Sequence, residues 1–283
     1  MAYRYVPPKL ETVESLMNRF IRNSLAAIGF AALAIPAQAG LIIGGDAVDK
    51  ASATSIVDIV FAIDTSGSMI DDIAAIGAAA NTAVKNLQCP MTDCYVRARF
   101  MGISGTSGSL FNESVRNYVL AKGGSPITNN TEDNGWAVVD LVKYFDWGSD
   151  AAAGQKNYHA IVTIGDEGTE NGEPVNALDF VAAKAANEAA INESVLLFSW
   201  VTDDPYPGVP NLFKAMAVGG NPGNGDTYGN TGGAYLAGLQ GVDVQTRLQE
   251  IICDAATGND VPEPASLGLV LLGLAGLSRM RRR

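Results

Sequence analysis

Apolar and polar positions fall along the chain in two alternating kinds of block. "SIVDIVFAID" (55–64) is an almost unbroken apolar run, the pattern of a strand buried on both faces. "MIDDIAAIGAAANTAVKNL" (69–87) then spaces its apolar residues three and four apart, which predicts a helix. "YVRARFMGIS" (95–104) and "SVRNYVLA" (114–121) read as two strands of a hairpin with a Gly/Ser-containing link. Downstream, "GWAVVDLVKYF" (135–145) is helical, "YHAIVTIG" (158–165) a strand and "VNALDFVAAKAANEAA" (175–190) a helix. "SVLLFSWVT" (194–202) is a further strand, and "VPNLFKAMA" (209–217) a short helix with Pro near its start. "GGAYLAGL" (232–239) makes a weak last strand, and 242–255 closes as an amphipathic helix.

Strands that alternate with helices predict an α/β fold. The expected architecture is doubly wound: a mainly parallel central sheet, helices on both faces, and one antiparallel edge strand supplied by the hairpin. The domain is expected to span 53–256, followed by a linker at 257–260. No internal repeat is visible. The Gly/Asn-rich stretch 219–233 has Asp226 as its one acidic residue, which suits a surface connection better than a calcium loop.

Both ends depart from this pattern. Arg19 and Arg22 precede a short apolar run, Leu25 to Ile35, and then Ala37-Gln38-Ala39, an A-x-A cleavage site. Residues 1–39 are therefore expected to be a secretory signal peptide, and since 1–16 fit no part of one, translation is expected to start at Met17. At the other end Pro262-Glu263-Pro264 is followed by an uncharged stretch, 265–278, and then by Arg279, Arg281, Arg282 and Arg283. As a helix that stretch is ~21 Å long against ~30 Å of hydrocarbon, so it spans only with thinning or snorkelling. The order of these three parts over 261–283 resembles the PEP-CTERM sorting signal. The resemblance implies transient membrane anchoring, cleavage near Pro262–Pro264 by an exosortase-type membrane protease, and a product in the cell envelope or extracellular space.

Processing sharpens the charge. The chain carries 19 Lys and Arg against 30 Asp and Glu; residues 40–262 keep 11 basic and 27 acidic, a net of −16. Nucleic acid is excluded as a partner on this balance, because phosphate binding needs clustered Lys and Arg. Export makes a disulfide permissible. "CPMTDC" closes a tight loop, so Cys89 and Cys94 are the expected pair, with Cys253 a buried thiol. A single His and no C-x-x-C argue against a zinc centre; His159, just before a strand, is expected to be structural.

The chemistry lies at the strand ends. The first strand leads into Asp64-Thr65-Ser66-Gly67-Ser68, and "AIVTIGDEG" leads into Asp166 and Glu167. In such a sheet ligands bind beyond the carboxyl ends of the strands. Carboxylate and hydroxyl oxygens converging there suit a hard divalent cation, Mg²⁺ or Mn²⁺, with Ca²⁺ also compatible. Ser66 and Ser68 are equally the residue type that caps a following helix.

With these residues the chain resembles the von Willebrand factor type A domain and its metal-ion-dependent adhesion site. Asp64, Ser66 and Ser68 match its D-x-S-x-S pattern, and Asp166 its later Asp, although Gly165 stands where the family often has Thr. The resemblance implies a metal set of Asp64, Ser66, Ser68, Thr131 and Asp166. Thr128 is the alternative second-loop ligand, because Glu132-Asp133-Asn134-Gly135-Trp136 departs from the family's small-residue run. A catalytic reading has little support: "GISGTSGS" is not a nucleophile elbow, and His159 has no visible catalytic partner. The expected function is a non-enzymatic binding module that captures a carboxylate-bearing protein or an acidic exopolysaccharide through the cation. The alternative is a structural matrix protein without metal-dependent binding.

Overall fold

The computed structural model describes residues 41–90, 92–106, 111–148, 150–172, 174–202, 205–239 and 243–258; the expected signal peptide and the sorting segment with its apolar stretch 265–278 lie outside them. Among the described residues no helix is long and apolar enough to cross a membrane. Among the described residues, six strands form one sheet in the order β1-β3-β2-β4-β5-β6. They are β1 (Ile42–Gly45), β2 (Ser55–Ile63), β3 (Cys94–Gly102), β4 (Lys156–Gly165), β5 (Leu196–Val201) and β6 (Tyr235–Ala237). Every pairing is parallel except β1 with β3. The helices are α1 (Ile70–Lys85), α2 (Val115–Ala121), α3 (Asn134–Tyr144), α4 (Ala177–Asn192), α5 (Val209–Val218) and α6 (Val244–Thr257).

The unbroken apolar run of β2 is explained by its central place, with both of its faces covered. Val57, Ile59, Phe61 and Ile63 pack with Ile73, Ile76 and Ala80 of α1 and Leu248, Ile251 and Ile252 of α6. Val60 and Ala62 point the other way, to a core shared with Tyr118 of α2, Leu141 of α3, Ala186 of α4 and Phe213 of α5. Phe61 and Phe100 are partners in the β2–β3 register and stack with centroids 4.3 Å apart. Asp58 is the one charged residue in β2, and it is satisfied: Arg97 donates to it from Nε (2.6 Å) and Nη2 (2.9 Å), and Gly148 from its amide (2.8 Å). His159 is bound up in the same region, with Nε2 3.0 Å from the Gly148 carbonyl and its ring stacked on Trp147.

The doubly wound architecture matches the expectation; two details do not. The expected hairpin is absent: β3 lies inside the sheet, parallel to β2, and 115–121 is a helix. Its buried residues Val115, Tyr118 and Val119 are three and four apart, and the Ser114 hydroxyl accepts the Asn117 amide as a cap, so the helical period outweighs the β-branched composition. The antiparallel edge strand comes instead from β1, ahead of residue 53, where the domain was expected to begin.

The expected Cys89–Cys94 disulfide is also corrected. The bond joins Cys89 to Cys253, with Cα atoms 5.2 Å apart, and leaves Cys94 as a buried thiol. Strand alternation turns Cys94 into the core as the first residue of β3, where burial pushes its thiol up to about 12. Packing of α6 on the end of α1 brings Cys253 to Cys89; in the same contact Gln249 donates to the Asn86 carbonyl (3.0 Å). Nearness in sequence says nothing of either direction.

Next to Cys253, burial and then the neighbouring Glu250 raise the carboxyl of Asp254 to about 6. Its contribution to stability is therefore complete below the unfolded value near 4 and lost as pH rises through about 6. Asp254 also lies in the last turn of α6, where a negative charge opposes the helix dipole. Asp254→Asn is expected to stabilise the protein at pH 7 by about 1 kcal/mol, a figure discounted for partial solvation. Thermal melts should show a Tm gain of about 2–4 °C at pH 7 that disappears at pH 4.

Candidate metal centre

Asp64 directly follows β2, and Asp166 directly follows β4. The two strands are neighbours with Ile63 opposite Ile164, and the Asp64 amide donates to the Ile164 carbonyl (2.9 Å). The chain leaves β2 for β3 on one side and returns to β4 on the other, so these acidic strand ends sit at the topological switch point.

The turn after β2 draws four of the expected residues into one hydrogen-bonded chain. Asp64 Oδ1 accepts the Ser66 amide (2.7 Å), the Ser66 and Ser68 hydroxyls lie 2.8 Å apart, and Ser68 donates to Asp166 Oδ1 (3.3 Å). The capping alternative for the serines is not what the geometry supports. Met69 is the N-cap of α1 and no side chain caps it, so the hydroxyls face one another and Asp166 instead of the helix amides.

The electrostatics are those of an unsatisfied site. Asp64 is fully buried, and among the described residues its Oδ2 has no hydrogen-bond partner; the Thr65 hydroxyl oxygen in the same turn has none there either. Burial pushes the Asp64 carboxyl well above the usual carboxylate range. Hydrogen bonds from Ser66 offset part of this, and the negative charges of Asp166 and Glu132 add to it. A buried carboxylate oxygen with no donor is costly, and a cation is the group that would satisfy it.

The second loop separates the two threonine candidates. Thr128 is fully buried, and its amide (2.9 Å) and hydroxyl (2.6 Å) both bond Asp140 of α3. It is committed to holding the loop on the helix. Thr131 is half-buried and comes up against Gly105 alongside Thr65, within the turn of Asp64; its hydroxyl donates to Asn130 Oδ1 (3.2 Å). Asp133 ties the loops together, with Oδ2 accepting the amides of Asn129 and Asn130 and Oδ1 that of Asn171. Gly165 also has a physical reason: Asn134 Nδ2 would lie 2.8 Å from a Cβ there, and Asn134 Oδ1 accepts the Thr163 hydroxyl (2.5 Å).

The sequence offers Glu132 and Asp133 among the oxygen-bearing residues of the second loop, but the family pattern left both outside the expected metal set. The available signal for Glu132 was its departure from the small-residue run after Thr131. Glu132 Oε2 would lie only 2.2 Å from a Cβ on Gly172, with Glu167 Oε2 3.0 Å from the same point. A different cluster, Asp46, Cys89 and Cys94, brings three ligand atoms within 4.8 Å of one another. Its chemistry is structural: Cys89 is in the disulfide, and Asp46 accepts the amides of Cys89 and Cys94 at 2.7 Å each.

Residues 260–283 match the family model of the PEP-CTERM protein-sorting motif. The chain is thus an exported protein sorted to the cell envelope or extracellular space, by a signal that exosortase, a membrane protein, processes. No curated protein matches the chain.

Proposed function

We propose that this exported protein is a von Willebrand factor type A-like binding module. It captures an acidic group of a protein or glycan partner through a divalent cation held by Asp64, Ser66, Ser68, Thr131 and Asp166. The observation that carries this reading is Asp64: fully buried, with one oxygen lacking a partner, at the head of the hydrogen-bonded chain through Ser66 and Ser68 to Asp166. Two carboxylates and neutral hydroxyls would leave a bound cation part of its positive charge, and a partner's carboxylate would complete its shell. The role is binding without catalysis, and Mg²⁺ and Mn²⁺ are the cations such a donor set admits most readily.

The test is retention on the producing organism's own extracellular matrix. The purified exported protein should bind saturably in Mg²⁺ or Mn²⁺, come off with chelator and rebind when the cation is restored. Binding that chelator leaves untouched would instead favour a structural matrix component.

A further inference from the structure

Three cysteines meet where α6 packs on the end of α1. Cys94 Sγ lies 3.4 Å from Cys89 Sγ, the atom that is bonded to Cys253. A free thiol touching a disulfide sulfur places the attacker and the target of thiol–disulfide exchange side by side. The fold builds this contact without help from Cys253. One carboxylate, Asp46, accepts the Cys89 amide on Oδ2 and the Cys94 amide on Oδ1, at 2.7 Å each, and so holds the two backbones together. Cys94 is fixed further as the first residue of β3, opposite Ser55 of β2. Cys253, by contrast, is carried to Cys89 by the docking of α6, the last described helix.

We propose that Cys94 is an exchange partner for the Cys89–Cys253 bond, and that the three cysteines form a switch that follows whether α6 is docked. The Cys94 thiolate, its proton given to water, attacks Cys89 Sγ. The Cys89–Cys94 bond forms as the Cys89–Cys253 bond breaks, and the electron pair leaves on Cys253 Sγ, which takes up a proton. One disulfide and one thiol stand on each side, so no oxidant or reductant is consumed. The resting pair is Cys89–Cys253, and loop closure decides when it gives way. The two bonds close loops with sequence separations of 164 and 5. With α6 undocked, the shorter loop is favoured on the order of a hundredfold. Docking reverses the preference, because it buries Leu248, Ile251 and Ile252 of α6 in the core. While the helix is in place, Cys94 is fully buried and its thiol stays protonated, which keeps the exchange slow. Exchange would untether α6 just ahead of the sorting motif at 260–283 and free the thiol of the half-buried Cys253.

The experiment holds the exported protein without reductant at pH 8 across a urea series, quenches in acid, digests with pepsin and maps the disulfides by mass spectrometry. Acid removes the thiolate and freezes the pairing. Without urea the pair should be Cys89–Cys253. Cys89–Cys94 should rise by about tenfold or more at urea concentrations below the main unfolding transition seen by circular dichroism, and should revert on dilution. A second measurement uses Cys253→Ala, with its fold checked by circular dichroism, and oxidised glutathione as the oxidant. Cys94 should displace glutathione from Cys89, so the product is a Cys89–Cys94 disulfide with neither thiol left. Glutathione retained on Cys89 beside a free Cys94 in the folded variant would overturn the exchange. So would a wild-type protein in which Cys89–Cys94 appears only together with global unfolding, which would leave Cys94 an inert core thiol.

Discussion

Asp64→Asn is expected to abolish divalent-cation binding while leaving a folded protein. The substitution keeps the shape and the Oδ1 acceptor for the Ser66 amide, so the turn after β2 retains its hydrogen bond. It removes the charge from the one fully buried carboxylate of the candidate set and puts an amide nitrogen where Oδ2 had no partner. The loss in affinity should be about a hundredfold or more, because few anionic ligands remain to offset dehydration of the cation. Without metal, the sign for stability is opposite. The Asp64 carboxyl is raised in the folded state by burial, so its contribution is complete below the unfolded value and lost as pH rises through the folded one. The stripped variant should therefore be at least as stable as stripped wild type at neutral pH, and this advantage should vanish in acid. Melting with and without Mn²⁺ reads both effects: the cation should raise the Tm of wild type and not that of the variant. Wild-type cation affinity in folded Asp64→Asn would reduce the turn to a polar cluster and move the matrix-component reading ahead.

Hydrophobic patterning carried most of the fold. The central strands β2, β4 and β5 are long apolar runs, and their burial on both faces is what such runs imply. The helices at 134–144, 177–192, 209–218 and 244–257 follow from apolar spacing and Pro placement. Patterning failed where two periods fit one short segment. In 115–121, β-branched composition pointed to a strand, and only the Ser114 cap and the burial of positions three and four apart reveal the helix. It failed also for β1, four residues long with two glycines, whose place is set by pairing to β3 and not by any local preference. At the site, the residues of D-x-S-x-S and the second strand-end Asp were legible because topology alone carries both to one edge of the sheet. The threonine choice was not legible. It turns on Asp140, which lies twelve residues beyond Thr128 and captures its hydroxyl across the loop. Glu132 was legible as an acidic residue of the second loop, but its place against Gly172 and Glu167 of another loop was not.

Cysteine pairing is the feature least visible in the sequence, and its removal is expected to produce the largest change in stability. The Cys89–Cys253 bond closes a loop with a sequence separation of 164 residues. Chain-entropy reasoning puts its stabilisation at roughly 5 kcal/mol, and measured losses for native disulfides fall at about 2–5 kcal/mol. The double variant Cys89→Ala/Cys253→Ala is the clean comparison, because it leaves Cys94 as the sole thiol and creates no new partner for it. Its unfolding free energy in urea should fall by about 3–5 kcal/mol. The mechanism predicts where that loss appears. The bond ties α6, the last described helix, to the segment between α1 and β3, so hydrogen exchange should quicken in α6 before it does in β2 or β4. Cation affinity should change little, because no described contact joins the disulfide to Asp64 or Asp166. The pairing itself is read by alkylating wild type in denaturant without reductant and mapping the label. Cys94 should carry it, and in the native protein the reaction should be slow, since the thiol is buried and held protonated up to about 12. Label on Cys253 would overturn the pairing, and with it the stability loss predicted for the double variant.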